Sequence, residues 1–325
     1  MHKTPVAPYI QRTIFLIFIF ILLFAGRCHR KIIDPEVEKA KKQAEATRTK
    51  NLLKQIQGVG FTEVNRVFDN GLSFSPVGYQ LTPEWRITFP SVDSVTIYSP
   101  KKGRFLNAPV MFDHDSIFNV AWAWLKLKYI KKDSIKFMVL HVHDDTIVEE
   151  KVHVFMTFYT NTYIKNVLHS DTNKLRKPTR LDTLYIKAKS ALANKIPDSA
   201  FACTNPVVLT SKNPFVICKP DLVPPDDVNG GKIYDNYLLP TYNITIHHAY
   251  QDFSYLFSVF VDESGKMTFR KSNQFIDPSF TKSTLEIMKG ITDSYLKLYL
   301  NVKPGNTLGI PHRSIVMLNV TGYKK

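Results

Sequence analysis

The densest group of side chains able to do chemistry in this sequence is His141-Val142-His143-Asp144-Asp145. Two histidines two positions apart share one face of a strand, as two ligands of a metal would. Asp144 and Asp145 fall where a hairpin turn is expected, a usual place for aspartate. A surface hairpin with polar faces accounts for the same residues, and His114 or His153 could join only through tertiary packing. His141 and His143 are therefore weak metal candidates, and a metal-dependent hydrolase built on them ranks behind the binding roles below. His247 and His248 are adjacent, so on a strand they face opposite ways and do not chelate together. Cys203 and Cys218 lie in a stretch broken by Pro and Asn that can fold back on itself. A disulfide between them would add about 3 kcal/mol in an oxidising compartment. Two buried thiols are the alternative, and two Cys without close Cys or His neighbours do not make a four-ligand zinc site. The sequence has no Gly-x-Ser-x-Gly, no phosphate-binding glycine loop and no His-Glu-x-x-His. The expectation is a non-enzyme with no catalytic residue and no cofactor.

Cys28 belongs to a different kind of chemistry. Residues 1–13 are basic, with Lys3 and Arg12 and no acid, and Ile14 to Phe24 are uninterruptedly apolar. Ala25-Gly26-Arg27-Cys28 follows. A basic start, a short apolar core and small residues form the layout of a secretory signal. The apolar run is shorter than the roughly 20 residues that span a bilayer comfortably, although Arg12 and Arg27 could snorkel. Ala25 to Cys28 resembles a bacterial lipoprotein signal, which implies lipidation of Cys28. An uncleaved signal-anchor is the alternative, and Arg27 in place of a small residue keeps both open. Either way residues 1–31 hold the chain to a membrane, and the body is expected in the periplasm or outside a bacterial cell.

The formal net charge is +15, and Lys3, Arg12 and Arg27 account for three of those charges. The remaining +12 favours an anionic neighbour: phospholipid, nucleic acid, acidic glycan or acidic protein. The densest basic stretch runs from Lys165 to Lys195, with Lys174, Arg176, Lys177, Arg180, Lys187 and Lys189 inside it. A solvated basic face explains it most simply, and no nucleic-acid-binding module is discernible. With 22 Phe and 15 Tyr the body can bury real cores, so disorder is excluded as its general state.

The elements that must position these residues follow from pattern. The expected class is α+β: a membrane segment (1–31), a helical stalk (32–58), a β-rich domain of unassigned role (59–196), a Pro/Gly-rich connector with little regular structure (197–240), and a small β-β-α-β-β domain with an antiparallel sheet (241–325). Asp34-Pro35 starts the stalk helix and Gly58 suits its C-cap. Strands are read at Trp85–Phe89, Val95–Tyr98, and in a hairpin from Ile135 to Tyr159 around Asp144-Asp145. Ser116 to Lys132 is read as a helix with Ser116 as cap, and Arg180 to Ala193 as a strand passing into a helix.

Residues 253–320 resemble the C-terminal domain of TonB-type energy transducers. The elements that carry the likeness are FSVFVDESGKMTF, then DPSFTKSTLEIMKGI, then KPGNTLGIPHRSIVMLNV, in that order. The resemblance implies a domain that binds a short extended peptide of an outer-membrane transporter by strand addition. It also implies that the last strand is the open edge, so that Arg313, Ser314, Ile315, Val316, Met317 and Leu318 form the peptide site. Arg313 and Lys303 would suit an acidic peptide. Ordinary sheet closure or a homodimer through that strand is the alternative reading. The rival function is a structural or surface lipoprotein whose basic body binds an anionic envelope polymer.

Overall fold

The computed structural model describes residues 35–100, 102–121, 123–143, 146–148, 152–224 and 234–324. Cys28, the apolar run Ile14–Phe24 and the turn residues Asp144 and Asp145 lie outside them. The fold is mixed helix and strand, with a large β-rich body. Among the described residues no helix is long and apolar enough to cross a membrane.

Helix α1 runs Pro35–Lys54. Proline at its first turn sacrifices no needed donor, and Lys, Ala, Glu and Gln sustain the turns that follow. The end of α1 and the turn after it insert Leu53 and Ile56 into the core of the first unit. That unit is built from β1 (Gly60–Phe68), β2 (Arg86–Ser91), β3 (Ser94–Ser99), β4 (Arg104–Phe112), β5 (Ile117–Val120), β6 (Ala123–Lys131), β7 (Ser134–His143), β8 (Thr146–Val148) and β9 (Val154–Thr160). The order β6-β5-β4-β3-β2-β1-β9-β7 closes through pairing of β6 with β7, giving an eight-stranded antiparallel barrel. β8 hangs on β7 as a hairpin outside the ring. Closure leaves no open edge in the ring. Inward positions alternate along each strand, and Phe61, Phe89, Phe118, Phe137 and Phe158 fill the interior. Phe137 meets Phe118 and Phe158 edge-on, at 5.8 and 5.5 Å between ring centres.

The helix expected over Ser116–Lys132 is instead the β5–β6 hairpin. The chain turns at Ala121, which takes φ 58°, and alanine does not advertise a turn. The period-2 burial of Leu125 and Leu127 decides for strand.

α2 (Thr172–Leu175) and α3 (Arg180–Lys195) follow the barrel. The strand expected at the start of this stretch is absent, because Thr179 and Asp182 form a reciprocal capping box that begins a helix at Arg180. Asp182 is buried and also accepts the Ser73 amide at 2.7 Å, tying α3 to the barrel's first long loop. Phe74, Ile186, Ala193 and Phe201 form a small core under α3. The loop and the segment after α3 meet at Gly78, where a Cβ would lie 2.4 Å from the Ala202 carbonyl oxygen at φ +92°. Only glycine fits there.

The second unit contains β10 (Val208–Ser211), β11 (Val216–Asp221), α4 (Asp235–Leu238), β12 (Thr241–His247), β13 (Phe253–Val261), β14 (Met267–Ser272), α5 (Thr281–Gly290), β15 (Leu300–Lys303), β16 (Asn306–Thr307), β17 (Ile310–Pro311) and β18 (Ser314–Tyr323). α5 continues through a widened turn, Ile291–Leu296, and a last turn, Lys297–Tyr299. Its inner face buries Met288, Thr292 and Leu296. The main sheet has the order β11-β12-β18-β13-β14, and β10 pairs separately with β15. The expected unstructured connector therefore contains two strands, and Val207, Leu209 and Val216 belong to the second core. Its prolines punctuate short strands; Pro220 sits on edge strand β11, where a missing donor is tolerated.

Candidate functional site

β18 is not an edge. Arg313 leads directly into this strand, which comprises Ser314, Ile315, Val316, Met317, Leu318 and the residues to Tyr323. It pairs antiparallel with β13 on one side and parallel with β12 on the other, Thr241 opposite Met317 and His247 opposite Tyr323. The slot beside the last strand is filled by the chain's own residues 241–247. Ser314, Val316 and Leu318 are buried. Arg313 is half-buried and turned toward α3: its amide donates to Asn194 Oδ1 at 2.8 Å and its guanidinium to the Ala193 carbonyl at 3.2 Å. It is a structural joint, and the peptide site expected on this strand has no room there.

The outer strands of this sheet are β11 and β14. β11 is blunted by Pro220 and lies against β10. β14 has no proline, and among the described strands its outer side is unpaired. Thr268 and Arg270 are exposed on it, while Met267 is buried and Phe269 packs against the core, the alternation of a half-buried strand. The turn that starts β14 is fixed by Asp262, whose carboxylate accepts the Ser264 and Lys266 amides and the Ser264 hydroxyl. These bonds hold its pKa below the usual carboxylate range despite partial burial.

Beside this turn lies a cleft of about 650 Å³. Lys266 comes from the turn before β14 and Thr268 from its start, Lys289 from α5, Asp293 and Lys297 from its continuation, Asn301 from β15, and Lys212 from just after β10. Lys289, Asp293 and Lys297 are four residues apart in turn, so they share one helical face. Four ammonium groups thus surround the space with one carboxylate among them. Among the described residues none of the four lysines has a carboxylate within ion-pair distance. The cleft can receive carboxylates or phosphates, and β14 can offer backbone donors and acceptors to an extended chain beside them. No local motif announces it: the four lysines come from three segments spread over residues 212–297. A second groove, about 680 Å³, lies between α1 and Phe112–His114, but it mixes Lys39 and Lys50 with an internally paired Glu38–Lys42 and Asp113.

The remaining candidates are dispersed. His141 and His143 lie on β7 opposite Val148 and Thr146 and are exposed. His114 sits on the β4–β5 turn at 2.8 Å from Asp113. Among the described residues no three His, Cys, Asp or Glu side chains come together as metal ligands. Cys203 and Cys218 are both free thiols, so the disulfide reading is corrected. Cys218 on β11 points at the Leu209 carbonyl, whereas Cys203 is buried beside His312.

Sequence reasoning missed that pairing, which joins residues 109 positions apart. Cys203 Sγ stands 3.4 Å and Thr307 Oγ1 3.0 Å from His312 Nε2, and Phe201 stacks on the imidazole at 3.7 Å. His312 Nδ1 lies 3.2 Å from the Arg313 carbonyl, an acceptor only, so Nδ1 carries the proton and Nε2 accepts. Burial pushes the thiol up to about 12 and the imidazole down to about 4. Both are neutral at pH 7, and the sulfur lacks the thiolate character of a nucleophile. The group is a satisfied polar core.

No family model matches the chain, and no curated protein matches it. Among solved structures it is similar to the bovine lipocalin allergen Bos d 2, at 11% identity and a TM-score of 0.23, covering 43% of this chain and 86% of that one.

Proposed function

We propose that this protein is a non-catalytic, membrane-anchored adaptor of the bacterial envelope that captures an acidic peptide in extended conformation along β14. Peptide carboxylates would lie in the cleft of Lys212, Lys266, Lys289 and Lys297. On this reading residues 1–31 tether the chain, the body stands in the periplasm or outside, and no cofactor takes part. The TonB-like pattern of residues 253–320 suggests a transporter segment as the source of the peptide, with β14 in place of the last strand. One observation carries the reading: the lysine-lined cleft includes Lys266 and the Met267 and Thr268 that start β14, whose outer side is unpaired among the described strands. Backbone pairing supplies affinity in such a mode, and side-chain charge supplies selectivity.

The test is fluorescence anisotropy with a labelled, Asp/Glu-rich decapeptide and the full chain. Double reversal, Lys289→Glu with Lys297→Glu, is expected to weaken binding about tenfold, from roughly 1–2 kcal/mol of exposed charge interaction. Equal binding by a polyanion that has no backbone amides would contradict strand addition and favour the envelope-polymer reading.

A further inference from the structure

Helix α3 carries an apolar face that nothing in the described chain covers. Its inner face is occupied: Asp182, Ile186, Ser190 and Ala193 are buried. The outer face is not. Leu181, Leu184, Leu192 and Ile196 are 51, 54, 47 and 49% exposed. Leu181, Leu184, Ala188 and Leu192 follow the three- and four-residue spacing that lines up one side of a helix. The stripe is therefore long, continuous and rigidly presented, because the capping box and the Ser73 bond fix the helix from beneath.

Its rim is basic. Lys174, Lys177, Arg180, Lys187 and Lys195 are all exposed around it. Arg180 and Lys187, seven residues apart, flank one side of the stripe. Two further cations of this stretch are engaged elsewhere: Arg176 donates to the Glu63 carbonyl, and Lys189 stands over the Phe201 ring. The helix's own acid, Asp182, is buried and bonded inward, so it neutralises none of the rim.

We infer that α3 is an interfacial helix that lays its leucine face on an anionic lipid bilayer, with the surrounding lysines and Arg180 on lipid phosphates. An apolar face with a cationic border is the composition that seats a helix at the headgroup level. A second copy of the chain fits the stripe less well, since a two-fold contact would bring Arg180 and Lys187 against their own counterparts. The inference stands apart from the peptide cleft, which lies on other elements and uses other residues.

The experiment is site-specific photo-crosslinking in the full chain, reconstituted in phosphatidylcholine vesicles with or without phosphatidylglycerol. Benzoylphenylalanine replaces Leu184, and the control carries it at Tyr250, which is 92% exposed in the second unit. After irradiation and trypsin, the peptide 181–187 is weighed. The expected result is a lipid adduct at position 184 in phosphatidylglycerol vesicles. Its yield should fall several-fold in phosphatidylcholine alone, and several-fold again on adding Lys177→Glu and Lys195→Glu. These are surface changes, and circular dichroism establishes that each variant is folded. A covalent dimer in place of the lipid adduct, equal lipid labelling at positions 184 and 250, or no adduct at 184 would each overturn the proposal.

Discussion

Glu63 offers a sharp test of how the barrel is held to the segments that surround it. It is fully buried on β1, between Thr62 and Val64, which are buried as well. Its carboxylate accepts both Nε and Nη2 of Arg66, at 2.7 and 2.8 Å, and also the amides of Glu84 and Trp85, at 2.8 and 2.9 Å. The paired charge raises the pKa of Arg66 against the opposing effect of burial, although desolvation is the largest single influence on that group. Glu63→Ala removes all four bonds and leaves a mostly buried guanidinium without this partner. Breaking a buried pair in this way costs about 3–5 kcal/mol. With a urea slope of about 1–3 kcal/mol per molar, the unfolding midpoint of the barrel should fall by about 2 M. The assay is selective, because all three tryptophans of the chain fall at sequence positions 85–124 and none in the second unit, so their fluorescence reports the first unit's transition. Glu63→Gln keeps the shape but not the charge and should lose about half as much. Replacing both partners, Glu63→Leu with Arg66→Met, should recover most of the loss, because no buried charge is then stranded. A midpoint unchanged in Glu63→Ala would refute the reasoning.

Two further outcomes are expected. His312 is neutral in the fold, with its pKa pushed down to about 4, and titrates near 6.5 when unfolded. The unfolded state therefore binds the proton first as pH falls. Stability is lost from about pH 6.5 down to about pH 4, by roughly 3 kcal/mol in total, and is flat in this respect below that. His312→Gln should be less stable at pH 7 but lose less between pH 7 and 4 in urea titrations, and equal pH slopes would count against a buried neutral imidazole. Cys203 and Cys218, with pKa values near 12 and 11, should resist alkylation of the native protein at pH 8. Both should alkylate in urea without reductant, and failure to do so would restore the disulfide.

Local signals in the sequence carried local structure. Asp34-Pro35 and a run of helix formers announce α1, and alternation announces β3 and the β7–β8 hairpin. The β5–β6 hairpin was illegible because Ala121 has no turn chemistry, and the Trp and Leu residues around it suit helix or strand alike. Closure of the barrel depends on β6 meeting β7 and β1 meeting β9, pairings with no local signature. The edge misassignment has the same origin. β18 is a fine alternating strand, but whether a strand is central depends on what arrives beside it, and each residue of Thr241–His247 pairs with one 76 positions further on. The candidate cleft was invisible for the equivalent reason. Lys212, Lys266, Lys289 and Lys297 are ordinary surface lysines until the sheet, α5 and β15 bring them around one space. The apolar stripe on α3, by contrast, is readable as spacing once the helix is placed from Arg180.

The central claim is that β14 is the receiving edge, and amide hydrogen exchange of the full chain tests it most directly. Exchange is followed at Met267 to Ser272, with and without saturating acidic peptide. The account predicts slowed exchange at alternate amides of β14, whose outward donors gain partners, and no change at β18, which is already paired on both sides. Protection confined to the lysine-bearing turns of α5, with β14 unaffected, would contradict it.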